Sequence, residues 1–144
     1  MYEIFLSIHS WLRWIILLAS VVVIIKSLVG LFGGGEYKKL DNILAASFVG
    51  TMHLQLLIGL VLYIFLSPVT TSAFQNMSEA MSNSAIRYWA VEHITVMILA
   101  VIAAQAGRSI SKKSDDAIVK FRFQAIFFGI SLFLILTRIP WDRI

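Results

Sequence analysis

The chain has 144 residues, 59% hydrophobic and 14% charged, with a formal net charge of +4 and a mean hydropathy of +0.85. A soluble domain of this size is about 45–50% apolar and about 25% charged. An ordinary water-soluble globule is therefore excluded, and the length leaves no room for a second domain. No cysteine is present, which excludes disulfides, thiolate-bound metals, iron–sulfur clusters and covalently attached haem. The basic balance does not point to nucleic acid, because the charges lie in short turns beside apolar blocks and so read as signals of membrane orientation.

Each of four apolar blocks can cross a hydrocarbon layer of about 30 Å at about 1.5 Å per helical residue. The first covers residues 11–32, with 1–10 continuing the helix into the interface and Gly33-Gly34-Gly35 stopping it. It lacks a basic n-region and a cleavage site, so it is expected to be retained. The second covers 43–66, with Asp41-Asn42 as its expected cap and Ser67-Pro68 at its end. In the long connection that follows, Phe74, Met77 and Met81 recur at helical spacing. That pattern suits a short helix on the membrane surface and equally an ordinary polar linker. The third block covers 87–107. A charged turn, 108–120, offers Ser114-Asp115-Asp116 as a cap for the fourth block, 121–139, which closes with Pro140 and Trp141. The expected fold is an all-α integral membrane four-helix bundle, a single domain over residues 1–144.

All six lysines (Lys26, Lys38, Lys39, Lys112, Lys113 and Lys120), with Arg108 and Arg122, fall at the end holding the first and third turns. Arg13, Arg87, Arg138 and Arg143 fall at the other. Cytoplasmic segments collect Lys and Arg, so both termini are expected on the outer side of the membrane. Trp11, Trp14, Tyr88, Trp89 and Trp141 gather at that outer end, where amphipathic rings favour the headgroup layer.

Three histidines stand on three different spans, all outside the lysine-rich turns: His9, His53 and His93. Ionisable groups within a bilayer face the bundle interior and are functional candidates by default. Imidazole is the usual axial ligand of non-covalently held haem, and facing helices of a bundle can each send one ligand to opposite faces of a cofactor. Arginine forks suit the two propionates, and Arg13, Arg87 and Arg138 are the candidates. His9 and Arg13, four residues apart, share a helix face. Gly50, three residues before His53, would let a flat group approach. Ala100, Ala104 and Gly107 follow His93 as a small-residue stripe. His53 lies on the order of 20 Å below the outer end of its span and His93 on the order of 10 Å, with His9 shallower. His53 and His93 are the expected iron ligands, with His9 as the substitute for either. The same histidines could be hydrogen-bonding glue between helices, and Arg13 and Arg138 could be snorkelling anchors. Glu92 could be a proton-relay carboxylate, a partner for Arg87 or an outer-shell group.

His9-Ser10-Trp11-Leu12-Arg13-Trp14, the stretch from His53 through Gln55 to Gly59-Leu60 with Tyr63, Arg87 followed by Glu92-His93, and Ile139-Pro140-Trp141 resemble a family of short bacterial four-helix membrane proteins commonly labelled cytochrome b-like. The resemblance covers nearly the whole chain. It implies a haem-binding bundle using some of His9, His53 and His93, and a bacterial plasma membrane as its place.

The leading expectation is a haem b-binding cytochrome or electron-transfer subunit of a larger membrane assembly, with quinone as a possible second cofactor or electron source. Gly33 to Gly35 lacks the surroundings of a nucleotide-binding loop, so a complete oxidoreductase is not expected. The alternative is a non-redox structural or assembly subunit, partnered by other membrane subunits or by a homo-oligomer. A third reading is a small oligomeric channel or proton-conducting protein; no mid-span proline marks the broken helices of many transporters.

Overall fold

The computed structural model describes residues 1–143. Its helices are α1 (Tyr2–Gly33), α2 (Lys39–Val61), α3 (Pro68–Gln75), α4 (Met77–Ser82), α5 (Ser84–Arg87), α6 (His93–Lys112) and α7 (Ala117–Arg138). A π-helical turn, Leu62–Leu66, extends α2, another, Tyr88–Glu92, joins α5 to α6, and a 3-10 turn, Trp141–Arg143, follows α7. No strand occurs among the described residues. Four continuous helical segments are long and apolar enough to cross a membrane: Tyr2–Gly33, Lys39–Leu66, Ser84–Lys112 and Ala117–Arg138.

These segments form an antiparallel bundle in which α1 packs on α2 and α7, and α6 on α2 and α7. The buried side chains of α1 are Leu12, Ile16, Ser20, Val23, Ser27 and Gly30, one face of a 3.6-residue helix. Those of α7 are Phe121, Gln124, Phe128, Ser131 and Ile135. Most other large apolar side chains, such as Phe32, Leu57 and Phe133, face outward, as helices solvated by lipid require.

The buried serine and glutamine side chains inside this packed region are hydrogen-bonded. Ser131 Oγ donates to the Ala100 carbonyl at 2.8 Å, and Ser20 Oγ to the Leu17 carbonyl at 2.7 Å. Ser27 Oγ lies 2.7 Å from the Val23 carbonyl and 3.2 Å from Gln124 Oε1. Gln124 Nε2 donates to the Tyr37 hydroxyl at 2.5 Å. Burial pushes the Tyr37 phenol above its usual pKa, so it meets the Lys120 ammonium, 5.0 Å from its ring centroid, as a neutral aromatic face. Lys26 Nζ lies 3.2 Å from Oδ1 of the buried Asp41.

The caps differ partly from expectation. Asp116 Oδ1 accepts from the Ile118 N–H at 2.9 Å and starts α7 as foreseen. α2, however, begins at Lys39, earlier than the Asp41-Asn42 pair suggests. Asp41 sits in its first turn and reaches back to accept from the Lys38 N–H at 2.8 Å, which favours a carboxylate near the positive end of the helix. The long connection forms two short helices rather than one, broken at Asn76, whose side chain caps α4 through the Glu79 N–H at 3.2 Å. Phe74, Met77 and Met81 are exposed there.

Two glycines permit close helix approach: a Cβ on Gly30 would enter the Phe121 ring, and one on Gly107 would meet Phe127 Cβ at 2.6 Å. Gly50, in contrast, has nothing within 4 Å of such an atom. Gly30→Ala should therefore destabilise the bundle by about 1–3 kcal/mol, the usual scale of overpacking, while Gly50→Ala should not lower stability. Thermal unfolding of both variants in the same detergent checks the contrast.

Candidate functional site

At the end of the bundle that holds both termini the packing opens into a cavity of about 330 Å³, within the range of ligand sites, about 300–1,000 Å³. Its wall is mostly apolar, with Ile16, Met52, Met97 and Ile135 among the lining side chains, and its polar members include His9, Arg13, Gln55 and His93.

α1 supplies His9 and Arg13, one helical turn apart and both turned inward. Because α1 begins at Tyr2, His9 lies seven residues along it, about 10 Å from its start at about 1.5 Å per residue. His93 lies nine residues beyond the start of its own segment at Ser84, about 13 Å. The depths match, which counting from Trp11 obscures. His53 does not join them: it is thirteen residues from Leu66, about 20 Å, and is exposed on the outer face of α2. There its Nε2 meets Gln105 Oε1 at 2.8 Å, and Gln105 Nε2 donates onward to Ser109 Oγ at 2.8 Å. Neither His53 nor Gly50 lines the cavity. Gly59, which is off the His53 face, does line it: a Cβ there would lie 3.1 Å from His9 Cε1.

The two π-helical turns shape this end. A π turn adds a residue to the helical cycle, so Arg87 and Glu92, five apart, come together at 3.1 Å instead of diverging as in an α-helix. The turn ending in Leu66 is closed by the Ser67 N–H on the Leu62 carbonyl at 2.7 Å, and Thr70 Oγ1 donates to the Tyr63 carbonyl at 2.7 Å. Tyr63 in turn donates its hydroxyl to the Ala90 carbonyl at 2.6 Å, tying the end of α2 to the turn that carries His93.

His93 is firmly oriented. Its Nδ1 lies 2.9 Å from the Arg138 carbonyl, which can only accept, so Nδ1 carries the hydrogen and the neutral ring keeps its lone pair on Nε2. Tyr88 donates its hydroxyl to the same carbonyl at 2.6 Å, and the His93 ring centroid lies 5.3 Å from that of Trp89. The three arginines fare differently. Arg87 pairs with Glu92 and donates Nη1 to the Met81 carbonyl at 2.8 Å. Arg138 Nε lies 3.9 Å from the other oxygen of Glu92. Arg13 has no carboxylate partner among the described residues: its guanidinium lies 5.3 Å from the Trp14 ring centroid and its buried Nε has no hydrogen-bond partner. His9 Nδ1 and Gln55 Oε1, on the same wall, are also buried without a partner.

Among the described residues no group of three or more His, Cys, Asp or Glu side chains could hold a bare metal ion. A haem asks less of the protein, two axial imidazoles and a cation for its propionates, and His9, His93 and Arg13, which line the same cavity, are residues of those types. Compared with known proteins, the chain matches no family model, no curated protein and no solved structure.

Sequence reasoning missed the contribution of Gln55, Gly59 and Tyr88 and both π turns. Six-residue offsets such as Arg87 to His93 carry no sign of an inserted residue, whereas Gly59, four residues before Tyr63, was a visible small position.

The Arg87–Glu92 pair is about one-third exposed on both sides, so it should add little to stability. A double-mutant cycle with Arg87→Ala and Glu92→Ala should give a coupling of at most about 1 kcal/mol, read from unfolding midpoints.

Proposed function

We propose that this chain is a haem b-binding protein of a bacterial plasma membrane, working as an electron-transfer subunit of a larger membrane assembly. The observation that carries this reading is the presence of His9 and His93, from different helices and at matched depth, in one cavity beside Arg13, which has no carboxylate partner among the described residues. His93 has the oriented second nitrogen that metal-ligating histidines generally have. Arg13 would receive a propionate, and its partial burial would strengthen such a pairing. Arg87 and Arg138, already engaged with Glu92, reinforce the positive rim. His9 with His93 replaces His53 with His93 as the favoured ligand pair.

Haem held this way supplies one-electron chemistry. His9 and His93 would hold it, Arg13 would pair with a propionate, and the apolar wall of Met52, Met97 and Ile135 would exclude water. The collection of all six lysines at the opposite end supports an orientation with both termini outside.

An oxidised and a dithionite-reduced absorption spectrum of protein produced with ample haem tests the reading. A Soret band with sharp reduced α and β bands is expected, lost in His9→Ala and His93→Ala and kept in His53→Ala. A featureless spectrum from folded wild-type protein overturns it.

A further inference from the structure

His9 and His93 face the cavity under unequal conditions. His93 has its Nδ1–H anchored on the Arg138 carbonyl at 2.9 Å. The corresponding atom of His9 is buried with no partner. Beside it on α2, Gln55 is already tied to the His9 backbone, its Nε2 donating to the His9 carbonyl at 2.9 Å, and its Oε1 is buried and unpartnered as well. One orphan can donate and the other accept. The side chain that carries the acceptor is fastened to the very residue that carries the donor. Leaving both unmade is costly in a low-dielectric interior, and a turn of the imidazole or the amide that joined the two would remove both deficits together.

Gly59 explains how the ring has room. It stands four residues after Gln55, on the same face of α2, and a Cβ at this position would lie 3.1 Å from His9 Cε1 and 3.7 Å from His9 Nδ1. The imidazole thus rests against bare backbone, with Gln55 one turn away.

We propose that Gln55 is the positioning residue of His9, its Oε1 accepting the Nδ1–H, and that Gly59 provides the seat in which the ring takes that orientation. Nε2 of His9 then keeps its lone pair for the cavity, as Nε2 of His93 does. The consequence for a bound haem rests on the haem reading above; the geometry itself does not. An acceptor on the outer nitrogen makes an imidazole a stronger donor to iron and favours the oxidised state.

Redox titration of the haem-loaded, full-length protein reads this directly. The midpoint potential should fall in Gln55→Glu, whose carboxylate is the stronger acceptor, and rise in Gln55→Leu, which has none. Gly59→Ala, which displaces the ring, should shift it in the same sense as Gln55→Leu. A purely structural Gln55 would change haem yield without ordering the potentials by acceptor strength, and equal or disordered potentials overturn the proposal. The nitrogen-15 spectrum of histidine-labelled protein without haem, with His9 assigned by His9→Asn, gives a second and independent reading. A His9 protonated on Nδ1 in the wild type and changed in Gln55→Leu supports the role, and an identical His9 tautomer in both overturns it. If the wild type shows no Soret band, the haem reading fails, and the tautomer comparison still decides the role of Gln55.

Discussion

A carbonyl group without a donor is expensive inside a hydrocarbon layer, and this chain creates one at Arg138. Pro140 disfavours helical backbone at the residue before it, and Ile139 is accordingly extended, with φ −69° and ψ 134°. α7 stops, and the N–H of Trp141 turns back to the Ile139 carbonyl at 2.9 Å. Tyr88 and His93 supply the Arg138 carbonyl with donors from the neighbouring helix. Much of the terminal end follows from that constraint. Both donors reach one oxygen across the junction of the π turn with α6, and His93 is left with a fixed tautomer and its lone pair free. A helix end that is a weakness in water becomes, in lipid, the device that aims an imidazole.

The two ends of the bundle obey different rules. Toward the lysine-rich end, Phe48 and Phe128 meet edge to face with centroids 5.0 Å apart, Ala45, Ala100 and Ala104 are fully buried, and serine hydroxyls find carbonyls. Toward the terminal end the wall retains Arg13 Nε, His9 Nδ1 and Gln55 Oε1 unpartnered. Each such group costs about 1–3 kcal/mol, and leucine or methionine could occupy these positions at no such penalty. A bundle selected only to fold would not keep them side by side in a cavity. Local violations of this kind, within a chain otherwise locally consistent, belong to functional sites.

The fold was legible because the bilayer makes sequence speak plainly. Four apolar blocks of span length admit few arrangements, and Gly34 at φ +67°, Asp116 and Pro140 mark boundaries by the chemistry that places such residues at helix ends. The site was legible only in its membership. Hydropathy gives the length of a span but not its phase, and phase decides which histidines meet. A single extra residue in the turn Tyr88–Glu92 rotates everything before it relative to His93, and composition has no signature for it. Depth was misjudged for a related reason. Charged Glu3 and the polar residues Ser7 and Ser10 make the first ten positions look interfacial; they continue the helix as expected, from Tyr2, but carry His9 two turns into the bundle.

His53 shows why residue type alone cannot assign a role. It is as deep in its span as an ionisable side chain can be, and depth alone makes it the most conspicuous candidate. Its neighbours decide otherwise. Gln105 Oε1 faces its Nε2 at 2.8 Å, and the amide nitrogen lies 2.8 Å from Ser109 Oγ. The acceptor therefore takes the proton of the very nitrogen that bis-imidazole haem ligation would need bare. His53 thus ties α2 to α6, the histidine as glue, while His9 and His93 hold their rings toward a space that no side chain of the described chain fills. The same imidazole serves as a fastener where its partner takes Nε2 and as a ligand candidate where Nε2 is left for a cavity.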